Sequence, residues 1–224
     1  LGHIREVDAI AHVVRCFHDE NVSHVTGELN PTHDIEIVNT ELMLADLETI
    51  NKRREKTEKM LKSGDEKYKK EIENLDKLEE ELAAGTSVRE LKLNDEQKDL
   101  VKELQLLTAK PVIYLANVDE AEIGNTESDV VKDVKEIADR EGAEVLKVSA
   151  SIEADIAELE PEEAEMFLQE MGFEESGLNR VIKSCYRLLD LITFFTIAGG
   201  NEVRATAVKR GTTAPAAAGK IHSD

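Results

Sequence analysis

Two short segments end in side chains suited to recognising a flat heterocycle. In residues 111–122 (PVIYLANVDEAE) an apolar run of Val112, Ile113, Tyr114, Leu115 and Ala116 stops at Asn117, Val118, Asp119 and Glu120. An amide both donates and accepts, so Asn117 can bond a purine edge and pin a neighbouring loop. The carboxylate three residues on, Glu120, can accept from a ring N–H and an exocyclic amine. In residues 143–151 (AEVLKVSAS) a second apolar run stops at Ser149, Ala150 and Ser151. Small residues there let backbone N–H groups approach a ligand closely. Either segment, read alone, also fits a plain polar strand exit, and Asp119 competes with Glu120 as the acid.

Other reactive residue types form weaker patterns. His18, His24 and His33 share one loop with Asp19, Glu20 and Asp34, but their spacing matches no standard zinc motif, so a solvated polar loop is expected and no metal site is assigned. His12 lies in an apolar run and reads as a core residue. Cys16 and Cys185 are far apart and in no metal-like spacing; Cys16 is expected to pack as a small hydrophobe in a reducing, cytoplasmic setting. No nucleophile elbow is present. The strongest basic run is residues 52–56 (KRREK), expected either to pair with Glu48, Glu55 and Glu58 along one helix or to contact RNA.

Alternating strands and helices must position the two strand exits. Residues 9–17 read as a strand covered on both faces, because the run is nearly continuous in apolar side chains. A helix capped by Asp34 or Asn39 follows, with Leu42, Leu44, Leu47 and Ile50 as its stripe. Residues 45–108 change character: they are rich in Lys and Glu and carry the seam Tyr68, Ile72, Leu75, Leu78 and Leu82. That seam predicts a coiled-coil-like helical hairpin, broken at residues 62–66 and closed at Gly85, with a further helix capped by Asn94. After Lys110 the α/β alternation resumes. The helix over residues 127–142 shows Val130, Val134 and Ile137 on one side and Gly142 at its end. Residues 155–173 read as one helix and residues 177–191 as another. From Leu188 the segments 191–199, 202–208 and 212–221 read as β-rich, with a turn at Gly199 and Gly200.

The chain therefore reads as α/β, with a parallel sheet interrupted by an inserted helical hairpin. The expected division is residues 1–44 and 109–187 as two parts of one nucleotide-binding domain. Residues 45–108 form the insert, and 188–224 open a small β-rich domain. Of the 224 residues, 41% are hydrophobic, enough for a core, and the formal net charge is −20, which argues against a broad electrostatic grip on nucleic acid while leaving room for a local patch. No apolar run approaches the roughly 20 residues a membrane helix needs.

Six segments together resemble the YchF-type ATPase/GTPases of the Obg-related P-loop family. Residues 3–17 (HIREVDAIAHVVRCF) are similar to the segment after that family's switch II. Residues 34–50 (DIEIVNTELMLADLETI) are similar to its helix entering an inserted helical domain. Residues 110–120 and 148–159 resemble its two base-binding segments. Residues 172–196 resemble the bridge to its TGS domain, and residues 202–224 the start of that domain. The resemblance implies that Asn117, Val118, Glu120, Ser149, Ala150 and Ser151 hold a nucleotide base, with ATP preferred over GTP. It implies hydrolysis with Mg²⁺, whose ligands and P-loop are expected before Leu1. It also implies a monomer that associates with the ribosome or ribosomal RNA through the insert and TGS domain.

Two departures qualify that picture. A GTPase carries Asn-Lys-x-Asp at the base, whereas this chain has Val118 for the Lys and Glu120 for the Asp. The extra methylene of Glu spoils bidentate pairing with guanine, and losing a built-in pairing relaxes selection. Second, no G-x-x-x-x-G-K-[ST] occurs; Gly219-Lys220 is followed by Ile221 and lacks the first glycine. Residues 1–224 alone are expected to bind nucleotide weakly or not at all. The competing expectation is a non-catalytic helical-hairpin interaction module with no nucleotide.

Overall fold

In chain order the elements are α1 (Gly2–Arg5), β1 (Ile10–Arg15), α2 (Pro31–Leu61), α3 (Glu66–Ala83), α4 (Asp95–Leu104), β2 (Val112–Asn117), α5 (Glu120–Ile123), α6 (Asp129–Glu141), β3 (Glu144–Val148), α7 (Ala150–Glu158), α8 (Pro161–Glu170), α9 (Gly177–Leu188), β4 (Leu191–Ala198), β5 (Glu202–Lys209) and α10 (Ala214–Ala218). This computed structural model describes residues 2–19, 29–61, 65–123, 128–198 and 202–221. The turns expected at residues 62–64 and at Gly199 and Gly200, and the loop residues Glu20 and His24, lie outside the described residues.

β1, β2 and β3 form a parallel sheet in that order, with β2 in the middle. The register sets Arg15 beside Asn117 and Asn117 beside Val148, so all three strands end at one level. Val112, Tyr114 and Ala116 turn toward α6 and Ile35 of α2, while Ile113 and Leu115 join Leu146 against Val181, Cys185 and Leu188 of α9. An apolar run suits β2 because both faces are covered; each large side chain buried there contributes about 1.5–3 kcal/mol. β1 is covered on one face by the described residues. Val14 is buried but Val13 is 61% exposed, so one face of this outer strand is open among the described residues.

α2 begins earlier than its sequence signals suggest. Asn30 Oδ1 accepts from the His33 N–H at 3.1 Å and Pro31 opens the helix, which places Asp34 in the first turn rather than at the cap. Its buried face holds Ile35, Leu42, Asp46 and Ile50; Leu44 is 55% exposed, because at about 100° per residue it points away from Leu42. α3 packs along α2, and Arg53 and Thr57 both meet Glu71 whereas Arg54 meets Asp76 and Glu79. Contacts that move up α3 as they move down α2 define an antiparallel pair. Leu75, Leu78 and Leu82 of the expected seam are buried with Ile50, Val88, Leu100, Val101 and Leu106. Gly85 closes α3 with φ of +86°, a conformation a β-carbon disfavours. Asn94 caps α4 reciprocally with Gln97, at 2.9 and 3.1 Å.

The basic run 52–56 meets the pairing expectation in part. Lys52 pairs with Glu48 on its own helix, but Arg53 reaches Glu71 at 2.6 Å and Glu103 at 2.7 Å across the helices. Arg54 pairs with Glu79 and Asp76 rather than with Glu55 or Glu58. α6 buries Val131, Val134, Ile137 and Ala138, so its face is centred one residue later than Val130. Pro161 splits the expected single helix into α7 and α8, since it cannot supply an interior N–H. β4 and β5 pair antiparallel, but Ala214–Ala218 of the segment read as β-rich is helical, with Pro215 in its first turn and alanines after it.

Candidate functional site

The level ends of the three strands create a cleft of about 490 Å³ at their carboxyl ends. In an open parallel sheet this is where ligands bind. Asn117 is the last residue of β2, and its Oδ1 accepts from the backbone N–H of Ala150 at 3.0 Å. Ala150 is the first residue of α7, so one side-chain bond ties two strand exits 33 residues apart. The backbones reinforce the tie: the Val118 N–H donates to Val148 O at 2.9 Å, and the Cys16 N–H donates to Asn117 O at 2.8 Å. Beneath the loop, Lys147 Nζ donates to the Glu122 carbonyl at 3.0 Å.

Glu120 opens the short α5, and its Oε1 accepts from Ser151 Oγ at 2.6 Å. The second strand exit is therefore fastened to the first by two side-chain bonds, Asn117 to Ala150 and Glu120 to Ser151. Asp119, Glu120, Ala150 and Ser151 are exposed at the cleft, whereas Val118 is 2% and Ser149 is 3% exposed. Val118 belongs to the core packed around β2, so the position where a GTPase has lysine here anchors the loop instead of reaching over a ligand. Ser149 caps α7 without a side-chain hydrogen bond; its contribution is a small volume and its backbone, whose carbonyl accepts from Glu153 N–H at 3.0 Å. The N-terminus of α7 meets this end of the sheet, with the Ala150 N–H committed to Asn117.

Phe17 and Asp19 complete the cleft; the sequence placed Asp19 only in the histidine-bearing loop and did not single out Phe17. The register supplies the signal in retrospect: Arg15 pairs with Asn117, so the residues just beyond Arg15 arrive at the same rim. Arg15 holds that exit through Nε to the Phe17 carbonyl at 3.1 Å and through its guanidinium 4.8 Å from the Phe17 ring centre. Burial pushes the neighbouring Cys16 thiol up to about 12, with Glu122 and Asp34 adding to the shift. His12 rests against Tyr114, ring centres 5.4 Å apart, and burial lowers its pKa. Among the described residues no group of three or more His, Cys, Asp or Glu is placed to hold a metal ion. Among them, too, no helix is long and apolar enough to cross a membrane.

An amide and an acid from one strand exit, joined to small residues of the next around one cavity, form a site able to enclose a flat ring by edge bonding. Known proteins share this chain's sequence well beyond the cleft. It is 49% identical over 225 residues to the Ribosome-binding ATPase YchF of Bacillus subtilis and 49% identical over 224 residues to that of Escherichia coli O157:H7, in each case covering all of this chain and 61% of the relative. The solved structure of the Schizosaccharomyces pombe YchF GTPase superposes with a TM-score of 0.85 at 31% identity, covering all of this chain and 61% of that one. Residues 191–224 match the YchF-GTPase_C family, described as a protein of unknown function (DUF933). The chain thus spans about three-fifths of the length of the curated relatives it matches. Likeness along the whole sequence and likeness in fold agree, and the chain belongs to the YchF family.

Proposed function

We propose that the full-length protein binds and hydrolyses a purine nucleoside triphosphate, ATP ahead of GTP, and acts at the ribosome in the cytoplasm. The observation that carries this is the Asn117–Ala150 hydrogen bond, which holds two strand exits around one cleft. Asn117, Val118, Glu120, Ser149, Ala150 and Ser151 form the base end of the site. Asn117 keeps the loop pair closed and offers its amide N–H₂ toward a purine edge. Val118 and Ser149 fix the floor, and Ala150 and Ser151 bring backbone close to the ring.

The ATP preference rests on Glu120. Guanine offers two adjacent donors and needs an acceptor pair aimed at them, whereas adenine offers one donor and one acceptor. Glu120 Oε1 is engaged by Ser151 Oγ, and its longer side chain is drawn along the rim. Guanine thus loses its bidentate partner while adenine loses less. The cleft's size and its open edge at Phe17 and Asp19 suit a base with the sugar leading outward. Residues outside this chain would hold the phosphates and Mg²⁺; the metal supplies charge neutralisation in transfer to water. Ribosome association is supported by the relatives' printed names; the helical insert and a TGS domain opened by β4 and β5 are the surfaces proposed for it, without free charge on Arg53 and Arg54, which are committed to carboxylates.

Fluorescent ATP and GTP titrated into the full-length protein test the reading. ATP is expected to bind at least several-fold tighter than GTP, and Glu120→Asp to narrow that ratio with the fold intact. Indifference to both nucleotides would leave the interaction-module reading.

A further inference from the structure

A second concavity, of about 640 Å³, lies at the other end of the sheet. Asp8 and Pro111 on its wall precede β1 and β2, so it faces the amino ends of the strands whose carboxyl ends form the first cleft. Its floor is apolar, with Leu91, Leu93, Val101 and Leu106 contributed by the helical insert. Its cations are Arg5, Arg89, Lys98, Lys102 and Lys110, against only Glu6 and Asp8 as acids. The chain as a whole has 48 acidic and 28 basic residues, so this site reverses the sign of the molecule.

Three of these cations, Arg5, Lys102 and Lys110, have no ion-pair partner among the described residues. Lys110 Nζ donates to the carbonyl oxygens of Arg5 and Val7, and Arg5 Nη2 donates to Thr49 Oγ1 and the Ala45 carbonyl. Those acceptors are neutral. Lys102 makes no ion pair among the described residues, and Lys98 holds only an exposed contact to Asp95 at 3.0 Å. Arg89, its side chain 6% exposed, is fixed by Glu141 at 3.1 Å and by the Thr108 carbonyl at 2.9 Å. Its Nη2 is buried with no acceptor among the described residues. A buried N–H without an acceptor is costly, and cations lining one concavity raise the local concentration of anions.

We propose that this cavity binds a small organic anion, a carboxylate or phosphate carried on an apolar body. The head group sits among Lys98, Lys102 and Lys110 with Arg89 behind them, and the body lies on Leu91, Leu93, Val101 and Leu106. The volume falls in the range of small-molecule pockets, about 300–1,000 Å³. A guanidinium and ammonium groups suit both head groups. An occupant would bridge α4 to the segment entering β1, and so join the helical insert to the sheet far from the base cleft.

The test is methyl NMR of the full-length protein titrated with octanoate, phenyl phosphate, inorganic phosphate and 1-octanol. Octanoate or phenyl phosphate is expected to shift the methyls of Leu91, Leu93, Val101 and Leu106, and whichever binds identifies the head group. The exposed double substitution Lys98→Glu/Lys102→Glu should weaken that binding at least tenfold while leaving the unliganded spectrum folded. Four results would each overturn the proposal: no shift with either anion, equal binding of inorganic phosphate or 1-octanol, an unaffected double variant, or displacement of phenyl phosphate by ATP.

Discussion

Asp46 Oδ2 accepts both the backbone N–H and the hydroxyl of Thr108, at 2.8 and 2.7 Å, while its Oδ1 takes the Leu107 N–H at 2.7 Å. The carboxylate is fully buried and its partners lie 61 and 62 residues along the chain, so it fastens the long helix α2 to the turn that leads into β2. Charge-assisted bonds of this kind are each worth about 1.5–3 kcal/mol, and a lost partner leaves buried donors unpaired. Asp46→Ala should therefore destabilise the full-length protein by about 3 kcal/mol or more in urea unfolding. Asp46→Asn, which keeps one acceptor, should cost less. A loss under about 0.5 kcal/mol for the alanine variant, the range of an ordinary surface change, would contradict this role.

Glu141 organises a second buried joint. Its Oε2 accepts from Tyr114 Oη at 2.8 Å and faces Arg89 at 3.1 Å, and its Oε1 accepts from Asn39 Nδ2 at 2.9 Å. β2, α2, α6 and the segment after α3 meet at this one carboxylate. Burial and the adjacent Glu141 push the Tyr114 hydroxyl upward, so it remains a donor across the physiological range. Tyr114→Phe should cost about 1 kcal/mol, while Glu141→Leu, which strands Arg89, should cost about 3–5 kcal/mol. The order of the two losses in chemical unfolding is the check.

Glu153 reaches from α7 to the start of α9, accepting from the Gly177 N–H at 2.6 Å and the Leu178 N–H at 3.0 Å. A β-carbon on Gly177 would stand 2.7 Å from Glu153 Oε1, so the residue is small because the carboxylate must come close. Glu153→Ala should destabilise by about 1–2 kcal/mol. Amide hydrogen exchange at Gly177 and Leu178 should accelerate more than at the far end of α9. Uniform change along the helix would show that Glu153 does not hold its first turn, which Ser176 caps.

Much of this architecture could be read from residue order. The unbroken apolar run of β2 announced a strand covered on both faces, and Asn94 announced a cap through its own local bonding. Signals of that kind are local. The Glu141 joint was invisible because Arg89 and Tyr114 stand 52 and 27 residues from it. At the cleft, the two strand exits were legible as apolar runs ending in polar residues; Phe17 and Asp19 were not, since only the register brings them to the rim.

Cys16 provides a pH signature. Its thiol titrates at about 12 in the folded protein against an ordinary 9.0, because burial disfavours the thiolate. A raised folded value means the contribution is fully present below pH 9 and is lost as pH rises toward 12. Cys16→Ala should therefore show a shallower fall in stability over that window than the parent. At pH 8, Cys16 should resist thiol reagents that modify the half-buried Cys185. Equal labelling rates at both cysteines would contradict the assigned burial.

The central claim is that Asn117 and Ala150 hold two loops around one purine site. The most direct test is the affinity of the full-length protein for ATP with and without Asn117→Ala, with melting temperature followed in parallel. The account predicts at least a tenfold rise in Kd, and a backbone amide resonance of Ala150 that moves on ATP addition in the parent and not in the variant. Unchanged ATP affinity in a folded Asn117→Ala protein, with Ala150 indifferent to nucleotide, would contradict it.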